Sequence, residues 1–119
     1  EEFVEYSKSM FAYWTEDDFA ASFRKMLTIE QFRSEEMQGL YQQYLSSGPA
    51  TYVKDLFESM GIAHAEKNAV RFYAMMYFYY SVYDGADDKE KVKNEFVSAI
   101  GIMAQEWIKQ PKLTQIRKS

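Results

Sequence analysis

Acid–base and metal chemistry start from carboxylates and imidazoles, and this sequence holds 18 acidic side chains but 1 histidine. Glu16-Asp17-Asp18 is the densest acidic run. It stands where a helix N-terminus favours negative charge, so capping accounts for it. Glu1-Glu2 and Glu35-Glu36 read as solvated faces. A di-iron bundle needs Glu-x-x-His on two helices, and the residue three before His64 is Gly61. His64 falls near a helix start, where an exposed or capping role suits it better than general-base work. The absence of cysteine excludes a disulfide framework, a zinc–thiolate site and a thiol nucleophile. No glycine-rich phosphate loop is present. No enzymatic activity, metal or cofactor is expected.

The remaining chemical signal is apolar. The chain carries 9 Phe, 10 Tyr, 2 Trp and 7 Met, more aromatic bulk than a core of this size commonly needs. Small-molecule pockets are lined by such side chains with a few polar groups to orient the ligand. Met adapts to irregular shapes and Tyr adds a hydroxyl handle. The candidate ligand-binding residues are Trp14, Phe23, Met26, Phe57, Met60, Tyr73, Met76, Tyr77 and Tyr80. For each of them plain core packing is the competing reading.

These residues must be positioned by helices. The 119 residues are enough for one domain with a real core; it is expected to span 1–110, followed by a basic tail at 111–119. Two prolines and five glycines leave few breaks, and apolar residues recur at helical spacing throughout. A first helix carries Phe3, Val4, Ser7, Met10, Phe11 and Trp14 on one face. Thr15 and Asp18 resemble a capping box that opens a second helix burying Phe19, Phe23, Met26 and Leu27. Thr28 and Gln31 mark a further cap or a bend, and a third stripe runs through Met37, Leu40, Tyr41, Tyr44 and Leu45. After Ser47-Gly48-Pro49 a short helix carries Tyr52, Val53, Leu56, Phe57 and Met60, closed by Gly61. The fifth helix, about His64 to Tyr83, is apolar all round from Phe72 onward, which predicts burial on every side. Asp84 to Asp87 caps a sixth, about Asp88 to Lys109, before Pro111. The expected fold is all-α, with about six helices in an orthogonal or antiparallel bundle.

The sixth helix has two apolar stripes. At 100° per residue, Val92, Phe96, Ala99, Met103 and Trp107 form one, while Val97, Gly101, Ala104 and Ile108 lie about 130° away with Ile100 between them. Gly101 lowers helix propensity by about 1 kcal/mol against Ala, which close packing would have to offset. A helix at the edge of a monomer needs one apolar face. The second stripe therefore predicts a homodimer in which the last two helices of each subunit form a four-helix bundle, with Val97, Ile100, Gly101, Ala104 and Ile108 at the interface.

Charge narrows the partners. The net charge is −4, and no basic stripe suited to phosphates runs along any helix. The longest apolar run, Phe72 to Tyr80, is about half a membrane span. A cytoplasmic protein without a membrane partner is expected.

Phe23-Arg24-Lys25-Met26-Leu27-Thr28-Ile29-Glu30-Gln31-Phe32-Arg33 resembles the segment after the linker helix of tetracycline-repressor-like (TetR) transcriptional regulators. Leu40 to Leu45, Tyr52 to Gly61, and the Phe72-Tyr73-Ala74 run ending in Asp84-Gly85 follow in the same order, so the resemblance covers about residues 3–108. It implies the C-terminal effector-binding and dimerisation domain of a bacterial regulator. The effector would be a small apolar or aromatic molecule, and DNA would be reached only through an N-terminal helix-turn-helix domain absent from this chain. Two other readings stay open: a dimeric interaction module whose groove binds a partner helix, and an apolar-ligand carrier with no regulatory role.

Overall fold

The computed structural model describes residues 2–109, the side chains of Ile108 and Lys109 excepted. The basic tail and the Ile108 side chain thus lie outside the described residues. Within them the fold is all-α, with six helices: α1 (Glu2–Glu16), α2 (Asp18–Glu30), α3 (Glu35–Leu45), α4 (Ser47–Ser59), α5 (Ala65–Gly85) and α6 (Lys89–Lys109). None is long and apolar enough to cross a membrane.

Local chemistry sets most boundaries. The cap of α2 is Asp17 rather than Thr15: its carboxylate accepts from the Ala20 amide at 2.9 Å. Thr15 instead belongs to α1, where its buried hydroxyl donates to the Phe11 carbonyl at 2.6 Å. The Thr28–Gln31 signal is a helix end, not a start, because Gln31 is the C-cap of α2. Ser34 caps α3 through the Met37 amide, and Asp88 caps α6 through Lys91. At the end of α4, Gly61 adopts a φ of 75°, and the Ile62 amide reaches back to the Phe57 carbonyl at 3.1 Å. That left-handed turn is the one a glycine closes without steric cost.

Each helix packs on its neighbours in the chain, α6 returns to α1, and α1 also packs on α5. The molecule is thus two circuits sharing the α1–α5 pair. In the smaller circuit, α1, α5 and α6 touch one another directly. Phe3 at the start of α1 meets Phe72 near the start of α5, and meets Trp107 at the end of α6. Phe11 stacks on Phe96 at 4.4 Å, and Lys93 pairs with Glu16 at 2.8 Å. So α6 runs antiparallel to α1 and α5. The larger circuit, α1–α2–α3–α4–α5, surrounds a space lined by side chains of α1, α3, α4 and α5.

Two burial expectations are corrected here. First, α2 turns Ala20, Arg24 and Leu27 inward, leaving Phe19 74% exposed and Met26 also at the surface. The Arg24 guanidinium forces this rotation. It makes a bidentate pair with Asp84, each bond 2.9 Å, and donates through Nε to the Trp14 carbonyl at 3.0 Å. Second, α5 is buried on one face (Ala65, Asn68, Ala69, Phe72, Met76, Tyr80), whereas Val70 and Phe78 face outward. The second stripe of α6 is divided. Ile100 is fully buried, and Val97 and Ala104 pack partly against the same core. Val97 shares a crevice with Glu5, Ser9 and Ala12 of α1. Val97, Gly101 and Ala104 each keep some exposure, and a Cβ at Gly101 would meet nothing within 4 Å, so part of the stripe stays at the surface.

Candidate ligand cavity

The space inside the five-helix circuit is a cavity of about 340 Å³, within the range of small-molecule sites. From α1 come Tyr6, Met10 and Trp14, spaced i, i+4, i+8, so one ridge of the helix faces it. From α5 come Phe72, Tyr73, Met76 and Tyr80, and the junction of α3 and α4 supplies Gln43, Tyr44, Gly48, Pro49, Tyr52 and Val53. Gly48 permits this junction: a Cβ there would overlap the Gln43 carbonyl oxygen. A side chain at 48 would push α4 away from α3 and spread the wall.

The wall is apolar with a few hydroxyls. The Tyr73 hydroxyl donates to the Leu45 carbonyl at 2.5 Å, fixing α5 against the end of α3. The Tyr80 hydroxyl donates to the Met76 thioether at 3.1 Å, and its ring lies under the Arg24 guanidinium at 5.0 Å. Burial pushes both phenols above the ordinary tyrosine value, and Tyr6 is raised for the same reason. They stay protonated, and hence neutral donors, through the physiological range.

Of the nine residues read as ligand-binding, Trp14, Tyr73, Met76 and Tyr80 line this cavity. The others lie elsewhere. Phe57 is fully buried in the closed end of the core, against Phe3, Phe72 and Trp107. Tyr77 sits on the other flank of α5, in a shallow groove with Tyr41, Ala74 and Phe78, and its hydroxyl bonds that of Tyr41. Phe23 lies outside, its ring between Phe19 and Tyr44. Met26 and Met60 are exposed because Arg24 turns α2 and because Met60 is the C-cap of α4. The residues missed on α1, Tyr6 and Met10, had a readable signal in their i, i+4, i+8 row with Trp14. Gln43, Gly48 and Pro49 had none, since they face the cavity only through the α3–α4 junction.

Among the described residues no three or more His, Cys, Asp or Glu side chains gather as a metal site. His64 is exposed, at the N-cap of α5 with φ 54°, and makes no side-chain capping bond. The chain matches no known family model, no curated protein and no solved structure.

Proposed function

We propose that this chain binds a small apolar or aromatic molecule in the five-helix cavity, and that it is the effector-binding and dimerisation domain of a cytoplasmic TetR-like regulator. The observation that carries the reading is the cavity itself: about 340 Å³, open on one side and lined by aromatic rings and thioethers with protonated hydroxyls among them. A water-filled hole with so apolar a wall is unfavourable, and an apolar ligand relieves it.

The connections of α1 suggest how occupancy acts elsewhere. α1 supplies Tyr6, Met10 and Trp14 to the wall, and its last turn is tied to α2 and α5 through Arg24. A ligand that fits one setting of α1 better than another shifts the population toward it. In a regulator whose DNA-reading domain precedes α1, that shift changes the spacing of two heads that must meet half-sites a helical turn apart. For the dimer, the surface that suits this structure is the outward side of α5 and α6. There Val70 and Phe78 are exposed on α5 and Ile102 on α6.

Thermal unfolding with a panel of neutral hydrophobic compounds tests the binding. A ligand at 100 times its Kd adds about 2.7 kcal/mol and should raise Tm by roughly 8–15 °C for a domain of this size. A panel that leaves Tm unmoved overturns the reading. For the dimer, sedimentation should show a two-subunit species that Phe78→Glu dissociates, and a wild-type monomer at high concentration contradicts it.

A second reading, an interaction module for a partner helix, has one observation in its favour. Phe19, Met26 and Ile29 form an exposed stripe along α2, continued by Phe32. Binding of amphipathic helical peptides that Phe19→Glu abolishes, with an unresponsive cavity, would support it instead.

A further inference from the structure

The polar groups of the cavity wall are neutral. Among the described residues that line it none is acidic, basic or histidine; its polar side chains are the Gln43 amide and the hydroxyls of Tyr6, Tyr44, Tyr52, Tyr73 and Tyr80. The nearest guanidinium, Arg24, is fully engaged: Nε on the Trp14 carbonyl and both terminal nitrogens on Asp84. An anion in this site would be buried without a counter-charge, which is far more costly than burying a neutral polar group. Among the buried hydroxyls, that of Tyr73 already has a strong carbonyl partner. Tyr80 does not. It is 3% exposed, and the partner found for its hydroxyl is the Met76 sulfur, a weak acceptor. A buried O–H so poorly matched is destabilising until an oxygen acceptor arrives.

Resting on the reading of this cavity as a ligand site, we infer that its ligand is an uncharged aromatic compound bearing a carbonyl oxygen, and that this oxygen accepts the hydroxyl hydrogen of Tyr80. The rings of Trp14 and Phe72 and the Met10 thioether offer the apolar contact. The volume corresponds to roughly ten waters, a scale suited to one or two rings. Tyr80 sets specificity, while the apolar wall supplies affinity. Because Tyr80 also lies under Arg24, the ligand's polar end docks beside the ion pair that joins α2 to α5.

Three matched probes test this by calorimetry: 2-ethylnaphthalene, 2-acetonaphthone and 2-naphthoate. The ketone should bind about 5–30-fold more tightly than the hydrocarbon, the range expected of a buried hydrogen bond, and the carboxylate should not bind detectably at neutral pH. Tyr80→Phe should bring the ketone-to-hydrocarbon ratio to about one while leaving hydrocarbon affinity intact. Tyr73→Phe, whose hydroxyl is already engaged, should preserve the ratio. Equal affinities in the wild type, a ratio that survives Tyr80→Phe, or preference for the carboxylate each overturn the inference while leaving the cavity reading standing. Failure of all three probes to bind overturns the cavity reading and this inference together. A Tyr80→Phe protein that loses its cooperative melt hands the decision to the wild-type ratio, read beside that of Tyr73→Phe.

Discussion

Phe3, Phe57 and Trp107 at one end of the molecule, and Tyr6, Trp14, Tyr73 and Tyr80 toward the other, are all aromatic side chains borne on long helices, yet they build opposite interiors. The first set closes on itself: Phe57 meets Trp107 at 4.7 Å and Phe3 at 5.7 Å, and is wholly buried. The second surrounds a cavity, with Phe72 on the boundary between them. Two physical differences separate the sets. In the first set, rings from α1, α4 and α6 meet one another directly, whereas the rings that line the cavity from α1, α3, α4 and α5 leave its centre open. And phenylalanine rings pack edge to face without further demands, whereas a buried tyrosine hydroxyl must find a partner, which holds Tyr73 out against the Leu45 carbonyl. Aromatic content alone therefore does not identify a binding site. Contact between the rings and the partners of their hydroxyls do.

Truncation at the closed end should have the largest effect. Phe57→Ala removes a fully packed ring and should cost about 3–5 kcal/mol in denaturant unfolding; a cost under about 1 kcal/mol would mean the two ends are equally loose. Arg24→Met comes next, at roughly 2–3 kcal/mol, because it leaves the Trp14 carbonyl without its donor and Asp84 with only the Lys25 ammonium, 4.0 Å away. It should also loosen α2 from α5, visible as faster amide exchange in α2, and unchanged exchange would show that the ion pair does not hold that helix.

Alkaline pH should act on the tyrosine side of the comparison. Burial raises Tyr73 and Tyr80, and burial with the Tyr77 hydroxyl pushes Tyr41 up to about 12, against the ordinary 10.0. The folded chain then holds protons that the unfolded chain releases. Stability is fully present below the unfolded value and is lost as pH climbs through the folded ones. A Tm that holds up to about pH 10 and falls as pH rises from there toward about 12, with tyrosinate absorbance rising as the chain unfolds, is expected; a flat Tm contradicts it. The smallest stability effect belongs to the cavity rim: Tyr52→Ala, at an exposed position, should stay within about 0.5 kcal/mol while weakening ligand binding. A large loss of stability would place Tyr52 in the core instead.

How much of this was legible in the residues differs between the same two regions. Helical periodicity locates all six helices, and Gly61 alone marks the end of α4. Trp14, Tyr73, Met76 and Tyr80 are recognisable as a set because α1 and α5 each present a continuous row. Rotation about a helix axis is harder to read. In α2 the apolar row of Phe19, Phe23, Met26 and Leu27 reads as the inward face; Leu27 is buried, but Arg24 finds Asp84 sixty residues along the chain, and with Arg24 inward Phe19 and Met26 face solvent. In α6 the doubled stripe is visible, but not that α1 of the same subunit covers part of its second half, at Val97. Local pattern gives the amount of apolar surface; which neighbour buries it depends on contacts distant in sequence.

The two tryptophans stand one in each region, Trp14 in the cavity wall and Trp107 in the closed cluster, so the central claim has a direct test. With Trp107→Phe, Trp14 remains as the one fluorophore of its kind, and titration with 2-acetonaphthone should change its emission along a saturable, one-to-one curve, while the converse Trp14→Phe protein, reporting from Trp107, stays silent. No change at Trp14, or an equal response from both proteins, would contradict a ligand seated in the five-helix cavity.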